Sequence, residues 1–240
     1  MINNICTILV RTSHPGNIGA AARALKTMGL SQFCLVTPQL FPHPEATARA
    51  AGGVEVLENA TVSDSLLNAL ADCELVMATT SRHRTIERPI LTPRVAAQKI
   101  VQEATHRKVA ILFGSEQHGL TNAELELSHY QINIPTAPDY GVLNLASAVQ
   151  IMAYEIHLAT LEEPSISAIT NAEDELANIA LMESFYQHLA TVVQQLGVLN
   201  PQQPRQLMQR MRLLFNRARP DKTELNILRG ILSAMQKQLD

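Results

Sequence analysis

No two cysteines in this sequence stand at Cys-x-x-Cys spacing and no two histidines at His-x-x-x-His; Cys6, Cys34 and Cys73 lie far apart, and the eight histidines are scattered. The ligand spacings of a zinc site are therefore missing, and no metal is expected. An odd number of widely spaced thiols, two of them inside apolar runs, reads as buried, reduced cysteine in a cytoplasmic protein rather than as a disulfide framework. No apolar run reaches the roughly 18 residues of a membrane span. Asn144, Gln150 and Glu155 interrupt the longest one, and no secretory leader pattern is visible, so no membrane association is expected. Both glycine signatures of nucleotide folds are also missing, Gly-x-Gly-x-x-Gly and the Gly-Lys-Ser/Thr end of a P-loop, which argues against a nucleotide-binding oxidoreductase.

Net charge is small: 19 basic against 22 acidic residues in 240. The distribution is uneven. Residues 1–160 carry 11 basic and 13 acidic side chains, residues 161–200 none and 6, residues 201–240 8 and 3. A basic end after an acidic stretch is the one charge feature that suggests a polyanionic partner.

What is present is apolar residue, 46% of the chain, enough for one large domain or a domain with an appendage. Short β-branched runs at 5–10, 32–37, 54–57, 75–80, 108–113 and 131–134 alternate with helical patterns at 17–28, 44–51, 63–71, 92–104, 121–128 and 144–161. Near-continuous apolar strands imply burial on both faces, so the pattern predicts an α/β domain over 1–161, a mostly parallel sheet flanked by helices. Residues 162–172 (EEPSISAITNA) read as a linker. Residues 173–240 carry helical patterns alone, at 173–197, 204–219 and 221–238, and read as a small all-helical extension. Its Leu207, Met211, Leu214 and Phe215 form a helical stripe, with Arg210, Arg212, Arg217 and Arg219 largely off it. A solvated helix face and an RNA phosphate contact are both open for these arginines.

Four segments at the ends of predicted strands could carry chemistry. In His14–Arg23 (HPGNIGAAAR) a Pro-Gly turn precedes Asn17, which is expected to cap a helix, with Ile18, Ala21, Ala22 and Leu25 as its buried stripe. Gly19 and Ala20 are small enough for another element to approach closely. On this segment alone Arg23 reads as solvated. In Ile111–Leu120 (ILFGSEQHGL) a strand ends at Gly114, and Glu116 sits in a loop before a helix opened by the capping box Thr121-x-x-Glu124. Such loops at strand carboxyl ends are where α/β proteins bind ligands. In Ile132–Val149 (INIPTAPDYGVLNLASAV) an irregular loop leads to a helix with Asn144 in its first turn, where capping is the plain reading. In Thr79–Arg88 (TTSRHRTIER), Arg82, Arg84 and Arg88 cluster after a strand and suit RNA phosphate contact.

Together these segments resemble the SPOUT superfamily of knotted RNA methyltransferases, in its 2′-O-ribose branch. Asn17, Gly19 and Arg23 match its first motif. Phe113, Gly114, Glu116, Gly119 and Leu120 match the second, and Ile134, Pro135, Leu143, Asn144 and Ala148 the third. The tail, LLFNRARPDKTELNILRGIL at 213–232, is similar to the helical extension of the bacterial tRNA (cytidine/uridine-2′-O)-methyltransferases that modify anticodon-loop nucleotide 32. Two positions depart: Val142 stands where the family usually has serine, and Ala78 where it usually has glycine. The resemblance implies a trefoil knot, a homodimer and a tRNA substrate. It also implies S-adenosylmethionine held by the loops at Thr79, Thr80 and Ser81, at Gly114, Glu116 and Gly119, at Ile134, and at Gly141, Val142 and Leu143. Arg23, Asn17 and Asn144 would be catalytic, and Arg82, Arg84, Arg88, Arg217 and Arg219 would contact RNA. Arg23 matches the residue proposed as general base in that family; a guanidinium stays protonated in proteins, so a fixed cation facing the developing alkoxide is the physically simpler role. Other RNA targets, or an RNA-binding module without catalysis, are the alternatives.

Overall fold

Four runs with hardly a polar residue become the centre of one parallel sheet: β1 (Ile5–Val10), β2 (Gln32–Val36), β4 (Leu75–Thr79) and β6 (Val109–Phe113). β3 (Thr61–Ser63), β5 (Ile90–Leu91) and β7 (Tyr130–Ile132) complete it in the order β3-β2-β1-β6-β4-β7-β5. Every adjacent pair is parallel, with Ile8 opposite Cys34 on one side and Leu112 on the other. β6 is buried at all five positions, as a strand covered by helices on both faces must be. The computed structural model describes residues 2–81, 88–162, 175–199 and 206–239. The chain divides into two compact units, Met1–Ser167 and Ala168–Asp240.

The helices of the first unit are α1 (Pro15–Thr27), α2 (Pro44–Ala50), α3 (Val54–Glu58), α4 (Leu66–Leu70), α5 (Pro93–Glu103), α6 (Asn122–Glu126) and α7 (Leu145–Leu161). Ile18, Ala21, Ala22 and Leu25 of α1 are buried in the core with Ala96, Ala97 and Ile100 of α5 and Val149, Met152, Ala153 and Ile156 of α7. Gly19 permits the contact between α1 and α2: a Cβ there would stand 2.0 Å from the Ala46 carbonyl oxygen.

Two expectations fail here. Asn17 does not cap α1. His14 does, accepting the Gly16 N–H on Nδ1 at 3.1 Å, and Pro15 opens the helix. Proline's fixed φ suits the first helical position, so the start moves three residues earlier and puts Asn17 inside the first turn. Residues 54–57 form α3, not a strand. Val56 and Leu57, neighbours in sequence, are both buried in the core of the first unit. Gly53 just before them sits against α1, where a Cβ would lie 2.7 Å from the Arg23 Cα.

In the second unit the described residues form α8 (Ile179–Gln195), α9 (Leu207–Ala218) and α10 (Lys222–Gln236). Met182, Phe185, Tyr186, Leu189 and Val192 of α8 pack with Leu225 and Leu232 of α10 and with Met208, Met211 and Phe215 of α9. Phe185 and Phe215 meet edge to face at 4.9 Å. Leu214, expected in the α9 stripe, is exposed instead. Of the expected linker 162–172 only Glu162 is among the described residues. No described helix is long and apolar enough to cross a membrane.

Candidate functional site

The chain leaves β1 toward β2 and leaves β6 toward β7, in opposite directions along the sheet. Carboxyl ends of neighbours that part in this way open a crevice suited to a ligand. Here the crevice is closed by a hydrogen-bonded chain that starts at Glu116, in the loop after β6. Its Oε2 accepts from the Ser13 N–H at 3.0 Å and the Ser13 hydroxyl at 2.9 Å. Its Oε1 accepts from the His14 N–H at 3.2 Å and from Asn17 Nδ2 at 2.8 Å. Asn17 Oδ1 in turn accepts from Asn144 Nδ2 at 2.9 Å. Asn144 Oδ1 caps α7, accepting from the Ala146 and Ser147 N–H groups at 2.9 and 3.2 Å. One carboxylate and two amides thus join the turn after β1, the loop after β6 and the start of α7. Burial pushes the Glu116 carboxyl up, but the bonds from Ser13 and Asn17 outweigh it and hold the group below the ordinary carboxylate value.

Beside this chain lies a cavity of about 170 Å³ walled by three loops. Thr79, Thr80 and Ser81 come from the end of β4. Gly114, Glu116 and Gly119 come from the loop after β6, and Ile134, Gly141, Val142 and Leu143 from the segment before α7. All ten expected cofactor residues therefore meet at one cavity. Thr79 is fixed by donating its hydroxyl to the Leu112 carbonyl at 2.9 Å. Gly114 and Gly119 let the second loop fold on itself. A Cβ on Gly114 would stand 2.2 Å from the Gly119 carbonyl carbon, and Gly119 has φ +65°. Its N–H reaches the Ser115 carbonyl at 2.9 Å.

Leu120, Ile132, Ile134 and Leu143 supply apolar wall for a planar base, and Thr80, Ser81 and Thr136 supply hydroxyls. Among the described residues that line the cavity there is no lysine or arginine, and Glu116 is the acid. A carboxylate in the wall favours a cationic group beside it over a polyphosphate.

The arginines are placed less uniformly. Arg23 is exposed on α1, and among the described residues its guanidinium meets no hydrogen-bond or ion-pair partner. Asn17 bonds to Glu116 and Asn144, not to Arg23. Arg82 and Arg84 lie outside the described residues, and Arg88 is only 6% exposed, which withdraws it from a surface polyanion. On α9, Arg217 is exposed, whereas Arg219 is half-buried and ends the helix with φ +52°. Arg212 is committed to Glu183 and stacks on Tyr186 at 4.4 Å. Sequence reasoning missed Ser13 and Arg11. Ser13 binds Glu116, 103 residues away, and no local pattern marks such a pair.

Comparison with known proteins accords with this geometry. The model of the SpoU rRNA methylase family matches residues 4–154, and that of the C-terminal domain of the tRNA methyltransferase TrmJ matches residues 180–240. A tRNA (cytidine/uridine-2′-O-)-methyltransferase TrmJ of Photorhabdus laumondii is 49% identical over 237 residues, 99% of this chain and 98% of that one. The crystal structure of TrmJ from Z. mobilis superposes with a TM-score of 0.84 at 33% identity, covering 96% of this chain and 98% of the other. The SpoU methyltransferase AviRb of Streptomyces viridochromogenes, solved with the cofactor AdoMet, shares the fold at TM-score 0.52 and 19% identity, over 65% of this chain and 60% of its own.

Proposed function

We propose, for a chain that belongs to the SpoU methylase family and ends in the C-terminal domain of the TrmJ tRNA methyltransferases, transfer of a methyl group from S-adenosylmethionine to a ribose 2′-hydroxyl of tRNA, at anticodon-loop nucleotide 32. The observation that carries this reading is the Glu116–Asn17–Asn144 chain, which brings one residue from each of three motifs beside one cavity.

The cofactor, when bound, supplies an electrophilic methyl group on a sulfonium whose departure leaves a neutral thioether. The remaining tasks belong to the protein: to align the ribose and to stabilise the oxygen as its proton passes to water. Arg23 is the group for the second task. Its guanidinium is uncommitted among the described residues and faces solvent, where RNA arrives. It would hold the adjacent phosphate and the developing alkoxide by its planar fork. Glu116 is not the proton acceptor, since four donors already occupy its oxygens. Its task is to keep the RNA-side turn and the cofactor-side loop in register. Asn17 and Asn144 extend that register to α7.

The same reading includes a trefoil knot. β4 lies between β6 and β7, so the chain leaving β6 must pass β4 to pair with its far edge. It also includes a homodimer, supported by the exposed Tyr154 and Leu161 of α7, and a cytoplasmic location, where tRNA is modified. Arg217 of the extension, with Arg82 and Arg84, would contact RNA phosphates. The test is incubation with labelled S-adenosylmethionine and unmodified tRNA transcript. The expected result is label in an alkali-stable dinucleotide, the signature of a blocked 2′-oxygen. Binding of tRNA without any incorporation would contradict the enzyme and leave an RNA-binding module.

A further inference from the structure

A second carboxylate ties the turn after β1 to the loop that walls the cavity. Arg11 and Glu124 form an ion pair through Nη1, and Arg11 Nη2 donates to Glu124 Oε2 at 3.1 Å. The same Nη2 donates to the Gly119 carbonyl at 3.3 Å. Glu124 is itself fixed by the capping box of α6: its Oε2 accepts the Thr121 N–H at 2.7 Å, and its own N–H donates to Thr121 Oγ1 at 3.3 Å. Arg11 leaves β1 with φ +52°, its N–H on the Val36 carbonyl at 2.8 Å. Thr37 leaves β2 with φ +45°, so the left-handed exit recurs along this edge of the sheet. The guanidinium that crosses to Gly119 is what sets Arg11 apart.

Gly119 closes this loop, its N–H on the Ser115 carbonyl at 2.9 Å. It is a glycine at φ +65° with nothing within 4 Å of where a Cβ would stand. In a trans peptide the carbonyl of one residue and the N–H of the next point to opposite sides of the chain. A guanidinium that holds the Gly119 carbonyl therefore also sets the direction of the Leu120 N–H, and both residues line the cavity. Charge assistance makes this bond stronger than a neutral one, and Glu124 keeps the donor aimed without further ordering.

We propose that Arg11 is a positioning residue for methyl transfer: steadied by Glu124, it sets the Gly119–Leu120 peptide and with it the affinity of the 114–120 loop for the S-adenosyl cofactor. This inference rests on the cofactor reading given above. It makes the ion pair part of the binding site although neither charged group need touch the ligand.

The test compares the full-length wild-type chain with Arg11→Met and Arg11→Lys. Binding of S-adenosylhomocysteine is measured by calorimetry, and tRNA methylation is resolved into cofactor KM and kcat. Melting is followed on the same samples. Wild-type binding comes first, because its absence removes the cofactor reading itself and not merely the role of Arg11. Arg11→Met is expected to weaken cofactor binding about tenfold, the loss of one charge-assisted bond, with KM raised in step and kcat at saturating cofactor kept within about twofold. Arg11→Lys keeps a charge beside Glu124 but cannot serve both acceptors. It is expected to melt like the wild type while binding cofactor more weakly, so it decides the matter if Arg11→Met does not fold. Wild-type affinity in whichever variant folds would overturn the proposal. So would a fall in kcat and melting temperature together with KM unchanged, which would make Arg11 a general stabilising residue.

Discussion

Replacing Glu116 by glutamine changes no volume and tests the network at its hub. Each carboxylate oxygen accepts two donors, so turning the glutamine amide over cannot avoid placing its NH2 against donors. If the NH2 faces Asn17, Asn17 must flip, and its own NH2 then meets the NH2 of Asn144, whose oxygen is held by the α7 cap. The cheaper arrangement points the NH2 at Ser13. The Ser13 hydroxyl can rotate to accept, but the Ser13 N–H loses its partner. One unsatisfied backbone donor costs about 1–3 kcal/mol. In a unit of this size about 2 kcal/mol lowers the melting temperature by about 4–8 °C. The pH dependence gives a second check. The folded-state pKa of Glu116 is depressed, so its stabilisation is fully present above the unfolded carboxylate value and is lost as pH falls through the lower folded value. Protonation turns one Glu116 oxygen from acceptor to donor, where glutamine places an NH2 with two N–H donors. The gap in melting temperature between wild type and Glu116→Gln is therefore expected at pH 7 and should close as the solution is acidified below pH ~4.3. A variant that melts with the wild type at pH 7, or a gap that is constant across the acid range, would show that Glu116 is not the hub of this network.

Other substitutions separate structure from chemistry. Asn144→Asp keeps an oxygen to cap α7 but loses the donor to Asn17; it is expected to unfold in urea within about 1 kcal/mol of wild type while losing most methylation. Arg23→Lys is expected to melt unchanged, because the side chain is exposed and meets no partner among the described residues. Its turnover should fall at least about tenfold, since a point charge cannot replace a planar fork; near-normal turnover would refute the role given to Arg23. Gly19→Ala puts a methyl 2.0 Å from the Ala46 carbonyl oxygen and should cost about 1–3 kcal/mol in urea unfolding, as overpacked sites do.

Legibility in the sequence followed how local each cause was. β1, β4 and β6 could be read because parallel strands buried on both faces leave continuous apolar runs. β3 is Thr-Val-Ser at one edge of the sheet and β5 is two residues at the other, too short and too exposed to leave a pattern. The four residues Val54–Leu57 suit a strand and a helix equally, too short a run for periodicity to separate the two. The α6 capping box was visible because its two partners stand three residues apart. The first turn of α1 offered both His14-Pro15 and Asn17 as openings, and proline at the first position settled it. The α2 helix opens in the same way, with His43 capping and Pro44 following. At the site, the resemblance named the residues that line the cavity but not the bonds between them. Glu116 and Asn17 are 99 residues apart and Arg11 and Glu124 are 113 apart. Such pairs arise from sheet order, which periodicity does not encode.

Methylation of a tRNA ribose at nucleotide 32 is the activity proposed for this assembly of loops. It is checked by mapping ribose methylation across tRNA from cells with the gene, cells without it, and cells carrying Arg23→Ala in its place. A 2′-O-methyl group at nucleotide 32 is expected in the first population alone. The same modification at that nucleotide in all three would contradict it.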